Sequence, residues 1–217
     1  RRVAQGFLEQ YEGGVLLIAD REGRQLFSSV TEDIAHLPPR NNQEVVPEVF
    51  ATGKPVFSDL FSGSVLKKQI VTVEVPVFRD GQVVYDISFS PPLSLFQKII
   101  EAQRLGGAWT ISIFDGKGIN FARVPNPEET IGQRASPTLY AGLFKSKEAK
   151  LRTVSLEGVP LITAFTRSNI SNWTVAAGIA ESTLVRPLWR NLAITATAGI
   201  LLLLIGVGFA VRMATAI

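Results

Sequence analysis

Two carboxylates form the most chemically suggestive pattern in the chain. Segments 70–78 and 82–89 alternate apolar and polar residues around Arg79-Asp80-Gly81, which predicts a β-hairpin. A two-residue Asp-Gly loop would pair Val75 with Asp86 and Glu74 with Ile87, mixing apolar and charged side chains on both faces. A three-residue loop, with Gly81 left-handed in a bulge, pairs Val75 with Tyr85. The hydrophobic pattern selects this second register. One face then carries Val71, Val73, Val75, Val77, Val83, Tyr85, Ile87 and Phe89. The other carries Thr72, Glu74, Pro76, Phe78, Gln82, Val84, Asp86 and Ser88. Glu74 and Asp86 fall directly opposite one another. Facing like charges are destabilising by roughly 0.2–1 kcal/mol, so something must offset them. Solvent would do so, as would a structural cation such as Lys67, Lys68 or an arginine. A ligand pocket for a cationic or hydrogen-bond-donating molecule is the functional answer. It makes Asp86, Glu74, Thr72 and Ser88 the ligand-binding candidates.

Other chemistries lack their residues. The chain has no cysteine and one histidine, His36, in the run His36-Leu37-Pro38-Pro39. This excludes thiol catalysis, cysteine-bound zinc and any multi-histidine metal site. A serine triad would have to be built on a histidine in a proline-rich loop, and no Gly-x-Ser-x-Gly motif is present. The same loop is a poor place for a phospho-accepting histidine. A glycosidase could use carboxylates alone, but two directly paired on a sheet face are badly placed to straddle a sugar. No catalytic residue, metal or cofactor is therefore assigned. The net charge is +3 from 22 basic and 19 acidic residues, and no Lys/Arg run exceeds two. That gives no nucleic-acid footprint.

The elements that must position the hairpin recur. Val15 to Asp20 reads as a strand, Arg21-Glu22-Gly23 as a turn and 25–29 as a second strand. The same order returns at 109–115, Gly116-Lys117-Gly118 and 119–123, with Asp20 and Asp115 lying 95 residues apart. The hairpin also has a counterpart, 159–167 and 173–179 around loop 168–172. A helix follows each hairpin, at 93–104 after Pro91-Pro92 and from Glu181 onward. Shorter helical segments are expected at 44–52, ended by Gly53, and at 137–146. Residues 1–11 read as the end of a helix. The stretch 192–211 holds no charged residue. At about 1.5 Å per residue it spans roughly 30 Å, a bilayer core. Trp189 beside Arg186 and Arg190 suits an interfacial anchor. Gly206 and Ala210 form a weak small-residue pair, and Trp173 reads as core. The start at Arg1 and the end soon after the apolar run suggest a fragment of a longer protein.

The order of these stretches resembles the double Cache, tandem PAS-like, sensor domain of bacterial transmembrane receptors. The resemblance is carried by Thr52-Gly-Lys-Pro-Val-Phe-Ser-Asp-Leu-Phe61, Val75-Pro-Val-Phe-Arg-Asp-Gly-Gln-Val-Val-Tyr85, Phe114-Asp-Gly-Lys-Gly118 and Trp173-Thr-Val-Ala-Ala-Gly-Ile179. It is greatest to sensor histidine kinases of alphaproteobacterial type. It implies an α+β fold of two PAS-like lobes with five-stranded antiparallel sheets in series, then one C-terminal transmembrane helix. The implied division is the end of a long N-terminal helix (1–11), a membrane-distal lobe (12–90) and a linker helix (91–106). A membrane-proximal lobe (107–180), a juxtamembrane helix (181–191), the membrane helix (192–211) and the start of a cytoplasmic part (212–217) follow. It further implies an inner-membrane protein, homodimeric, with its lobes in the periplasm and a small molecule in the distal lobe.

Ser58, Asp59 and Phe61 join the ligand candidates because the resemblance puts them on the third strand. An amino-acid-binding subset of the family uses a tyrosine and an arginine ahead of that strand and an aspartate on the fifth. Asp86 matches the aspartate. Segment 35–59 has no tyrosine, and its one arginine, Arg40, lies in the Pro-Pro loop, so amino-acid specificity is not carried over. The output could be a histidine kinase, a diguanylate cyclase or a chemoreceptor rod. A lobe pair binding a periplasmic partner protein is the alternative of a different class, and a membrane-anchored hydrolase the remotest one.

Overall fold

The computed structural model describes residues 2–33 and 35–214. Arg1 and residues 215–217, within the expected helix end and cytoplasmic part, lie outside the described residues, as do the side chains of Arg186, Arg190 and Ala210.

Short helix α1 (Arg2–Leu8) leads into the first sheet. That sheet is built from β1 (Val15–Ala19), β2 (Gln25–Ser28), β3 (Val56–Phe57), β6 (Val73–Arg79) and β7 (Gln82–Ser90), in the order β2-β1-β7-β6-β3. Helix α2 (Val45–Thr52) covers one face. It ends where Gly53 turns left-handed (φ 61°) and its N–H reaches the Val49 carbonyl, a conformation glycine adopts without strain. Strands β4 (Phe61–Ser62) and β5 (Gln69–Ile70) form a small separate flap. Helix α3 (Leu93–Glu101) joins the lobes.

The second sheet repeats the plan. Strands β8 (Trp109–Phe114), β9 (Asn120–Val124), β10 (Glu148–Val154), β11 (Pro160–Arg167) and β12 (Thr174–Ala180) lie in the order β10-β11-β12-β8-β9. Read from its second strand, this is the order of the first sheet, and every pair in both is antiparallel. Helices α4 (Pro127–Thr130) and α5 (Pro137–Lys145) bridge β9 to β10. Leu139 and Leu143 of α5 meet Phe114, Phe165 and Ala176 on one face of this sheet. On the other, α3 packs through Ile100 and Phe96 against Ile111, Ile113 and Phe121. The fold is thus α+β, with two antiparallel sheets in series. The last element, α6 (Glu181–Ala214), starts on the residue after β12. Its stretch Asn191–Met213 has a mean hydropathy of 2.4, is exposed at each of its described side chains, and is long and apolar enough to cross a membrane.

The hairpin register differs from the expectation. Val75 pairs with Ile87, not with Tyr85, and Glu74 pairs with Ser88, not with Asp86. The turn is the two-residue kind, with Arg79 paired to Gln82 and both Asp80 (φ 49°) and Gly81 (φ 77°) left-handed. Asp-Gly supplies that conformation readily. One residue later a bulge corrects the pattern. Phe78 pairs with Val83 but Val77 pairs with Tyr85, which leaves Val84 without an opposite. Beyond the bulge the apolar and polar faces are those the pattern demands. Before it they are not, because Val83 moves to the α2 side, where it and Phe78 both approach Gly53.

Candidate ligand-binding site

The polar face of the first sheet carries a buried charge cluster. Glu74 and Asp86 have no exposed surface, and Thr72 and Ser88 are nearly as buried. Glu74 and Asp86 lie on one face but diagonally, since Pro76 stands opposite Asp86. The cation that offsets them is Arg40, from the loop between β2 and α2. Its Nη1 donates to Asp86 Oδ2 at 2.9 Å and its Nη2 to Glu74 Oε1 at 2.6 Å. Asn42 accepts from Arg40 Nε at 3.3 Å and donates to Glu74 Oε1 at 3.2 Å. The hydroxyls of Thr72 (2.6 Å) and Ser88 (3.1 Å) also donate to Glu74 Oε1. One carboxylate oxygen thus gathers four donors. Glu74 Oε2 and Asp86 Oδ1 are buried with no hydrogen-bond partner.

The electrostatics follow from the count of one buried cation against two carboxylates. Burial pushes the Asp86 carboxyl up to about 7, the Glu74 charge adds to this, and Arg40 only partly opposes it. Burial alone would lower Arg40, but Glu74 and Asp86 reverse that and hold it protonated. An excess of one negative charge in a buried site calls for a proton or a cationic ligand.

A cavity of about 50 Å³ lies next to the cluster, beneath the β4–β5 flap. Arg40, Asn42, Thr72 and Ser88 line it on the polar side, and Phe61 and Leu66 on the flap side. A single water needs roughly 10–15 Å³, so the space holds a few waters. Asn41 ties the Arg40 loop to the flap, its Nδ2 donating to the Ser62 carbonyl at 2.7 Å.

The expected site residues therefore divide into three groups. Thr72, Ser88 and Phe61 line the cavity; Glu74 and Asp86 sit behind Arg40 and do not. Ser58 and Asp59 are not on the third strand, which ends at Phe57, and Phe61 is on the flap. Ser58 Oγ accepts from the Thr72 backbone N–H at 2.8 Å, and its carbonyl accepts from Trp173 Nε1 at 3.0 Å. Asp59 faces the second lobe, accepting from the Gly116 N–H at 2.9 Å and pairing with Lys117 at 3.2 Å. In return Asp115 accepts from the Leu60 N–H at 2.9 Å. This connection joins the lobes. Arg40 and Asn42 were missed as site residues. The available signal was the need of two carboxylates on one face for a cation. His36 is exposed and bonds Asp33 at 2.9 Å.

No protein-family model matches the sequence, and no curated protein matches it significantly. Solved structures do. The extracellular domain of rpHK1S-Z16, described as a histidine kinase, superposes with a TM-score of 0.62 at 17% identity, over 83% of this chain and 79% of that one. The ligand-binding domain of the Pseudomonas aeruginosa PAO1 amino acid chemoreceptor PctB, in complex with L-Arg, gives 0.60 at 12% identity, over 84% and 80%. The periplasmic sensory domain of the Campylobacter jejuni chemoreceptor Tlp1 gives 0.58 at 13% identity, over 80% and 74%. The fold is that of extracellular and periplasmic sensor domains. At these identities the likeness speaks for the architecture and leaves the ligand to the site itself.

Proposed function

We propose that the chain is the extracytoplasmic small-molecule sensor region of a transmembrane receptor with double Cache architecture, its output module a histidine kinase. The first sheet would be the membrane-distal, ligand-binding lobe, and α6 would carry the signal across an inner membrane. The observation that carries this reading is the buried cluster of one arginine and two carboxylates beside a cavity that a flap lines on one side. The ligand is a small molecule presenting an amine or other hydrogen-bond donors. It would take up the unpartnered oxygens of Glu74 and Asp86 as Arg40 swings aside. Arg40 belongs to the loop that Asn41 fastens to the flap, so ligand entry and flap position are coupled. Transmission requires only that the ligand bind the two arrangements unequally.

A route to the membrane helix is built from contacts already described. Thr72 bonds Glu74 through its hydroxyl and Ser58 through its N–H. Ser58 holds Trp173, the residue before β12, and β12 runs without a break into α6. The apolar outer face of the first sheet supports assembly as a homodimer, since Val75 and Tyr85 are 40% and 37% exposed there.

The test is a thermal-shift screen of the whole chain in detergent against amines, amino acids, carboxylates and nucleobases. At 100 times its Kd a ligand stabilises by about 2.7 kcal/mol, roughly 5–10 °C for a protein of this size. A class that shifts the wild type but not Asp86→Ala is the expected result. A ligand that shifts both equally would place the site elsewhere.

A further inference from the structure

The second lobe ends towards α6 in a cluster of exposed apolar side chains, and the strand register places them there. Leu161 pairs with Ala180, the last residue of β12, and Val154 pairs with Pro160. The turn 155–159 therefore lies beyond the point where β12 gives way to α6. The connection from α3 to β8 comes to the same end, because Trp109 pairs with Ile179 and the Ala180 N–H donates to the Ala108 carbonyl at 3.5 Å. Leu105 in that connection, Val154, Leu156 and Val159 at the turn, and Leu184 and Val185 at the start of α6 are each 39–46% exposed. Scattered exposed apolar residues are ordinary, whereas a group gathered at one end marks an interaction surface.

The charges at this end match one kind of partner. The turn Ser155-Leu156-Glu157-Gly158-Val159 has one ionisable residue, Glu157. Its carboxylate turns back into the lobe, where Arg123 Nη2 lies 2.7 Å from both of its oxygens. Glu181, at the base of α6, is taken by Arg152 at 3.1 Å. Arg152 still has 83% of its side chain exposed, and Arg104, next to Leu105, is exposed as well. The end thus presents leucines, valines and arginines, with these two carboxylates tied back. A phospholipid surface accepts that combination, since apolar side chains enter the headgroup and acyl boundary and guanidinium groups bond phosphate oxygens.

The reach fits too. Asn191, where the apolar stretch of α6 starts, comes ten residues after Glu181, roughly 15 Å at about 1.5 Å per residue. The headgroup layer takes up roughly 5–8 Å of that, which puts its outer edge about 7–10 Å from the helix base. From Leu161, level with Ala180, the chain runs two or three residues to the tip of the turn, roughly 7–10 Å at about 3.3 Å per residue. We propose that the α6 end of the second lobe seats on the bilayer surface, with Leu105, Leu156 and Val159 entering the headgroup layer. This rests on the reading of α6 as a membrane span. A seated lobe holds the base of α6 at a fixed height. A change within the lobes then reaches the helix as a tilt or a turn, and not as a slide along its axis.

The chain has no cysteine, so a single introduced cysteine takes a label at one place only. The experiment labels Leu156→Cys, Leu105→Cys, Ile170→Cys and Leu203→Cys of the whole chain with a nitrobenzoxadiazole fluorophore, in nanodiscs of phosphatidylethanolamine and phosphatidylglycerol. Lipids carrying a nitroxide at the headgroup or along the acyl chain serve as quenchers. Ile170, 82% exposed on the loop before β12, lies at the opposite end of the strand from α6 and is the water reference. Leu203 reports the span. The headgroup nitroxide should lower emission at Leu156 and Leu105 at least twofold and leave Ile170 unchanged, and the acyl-chain nitroxide should quench Leu203. Quenching at Leu203, with Leu156 and Leu105 no different from Ile170, overturns the seating and leaves the span standing. Quenching at Ile170 as strong as at Leu156 overturns the seating too, since the lobe would then lie on its side. No quenching at Leu203 overturns the span, and the seating with it.

Discussion

Asp86 is the residue whose protonation the fold controls. Its carboxyl titrates near 7 in the folded lobe, against an ordinary value of 3.8, because burial and the Glu74 charge outweigh Arg40. The folded state therefore holds a proton that the unfolded state has released between roughly pH 4 and 7. A state that binds more protons loses ground as pH rises. Asp86 should make the protein most stable below pH 4 as far as this group is concerned, then progressively less so up to pH 7, with no further change above. Chemical denaturation at pH 5 and pH 8 checks the sign. Asp86→Asn imitates the protonated acid, keeps an acceptor for Arg40 Nη1 and removes the excess charge. It should flatten the dependence and equal or exceed the wild type at pH 8. A variant less stable than wild type at pH 8, with the slope intact, would mean that Asp86 is ionised throughout and stabilised by Arg40 alone.

At the scale of elements, the connection from β3 to β4 decides whether two lobes behave as one. It presents the Ser58 carbonyl to Trp173 and Asp59 to Gly116. The Trp173 ring lies among Phe57, Phe96 and Phe121, with centroids 4.9–5.6 Å away. Trp173→Ala should cost about 3–5 kcal/mol and split a single denaturation transition into two. Trp173→Phe keeps most of the ring contact and loses the Ser58 hydrogen bond, a cost of about 0.5–1.5 kcal/mol, with one transition retained. Much of this layout was legible beforehand. The repeat of strand, Asp-centred turn and strand, followed by a hairpin and helix, foretold two similar sheets, because alternation and turn residues are local signals. What failed was non-local or depended on one extra residue. The bulge at Val84 leaves no mark in the alternation around it, so the pattern alone puts Glu74 opposite Asp86 instead of Ser88. Arg40 reaches the carboxylates across 34 and 46 residues of sequence, and a Pro-Pro loop gives no indication of where its arginine points. Ser58 and Asp59 sit just past a strand of two residues, too short for any periodicity to bound, so the sequence does not distinguish an inter-lobe joint from a pocket wall.

For the whole molecule, the proposed sensor role requires rigid coupling between the folded lobes and α6. No loop separates them, because Ala180 closes β12 and Glu181 opens the helix. Strand β12 lies at the centre of its sheet, between β11 and β8, so it cannot move without its neighbours. In that role a shift entering at Trp173 would reach the helix as a displacement of its base. This arrangement works only if the far part of α6 is held by a bilayer. The run Ile200 to Ile205 is more than half exposed at every position, an apolar surface that lipid covers without cost and water does not. Leu203→Arg places a charge near the middle of the span, where insertion becomes less favourable by about 2.5–3.5 kcal/mol. In a microsomal or inner-membrane insertion assay the inserted fraction should fall sharply, while Ile170→Arg, an equally apolar and 82% exposed site on the loop before β12, should leave it unchanged. Equal insertion of the Leu203 variant and wild type would show that α6 lies along a surface. The base displacement would then have nothing to act against, and signalling would have to leave the lobes by another route.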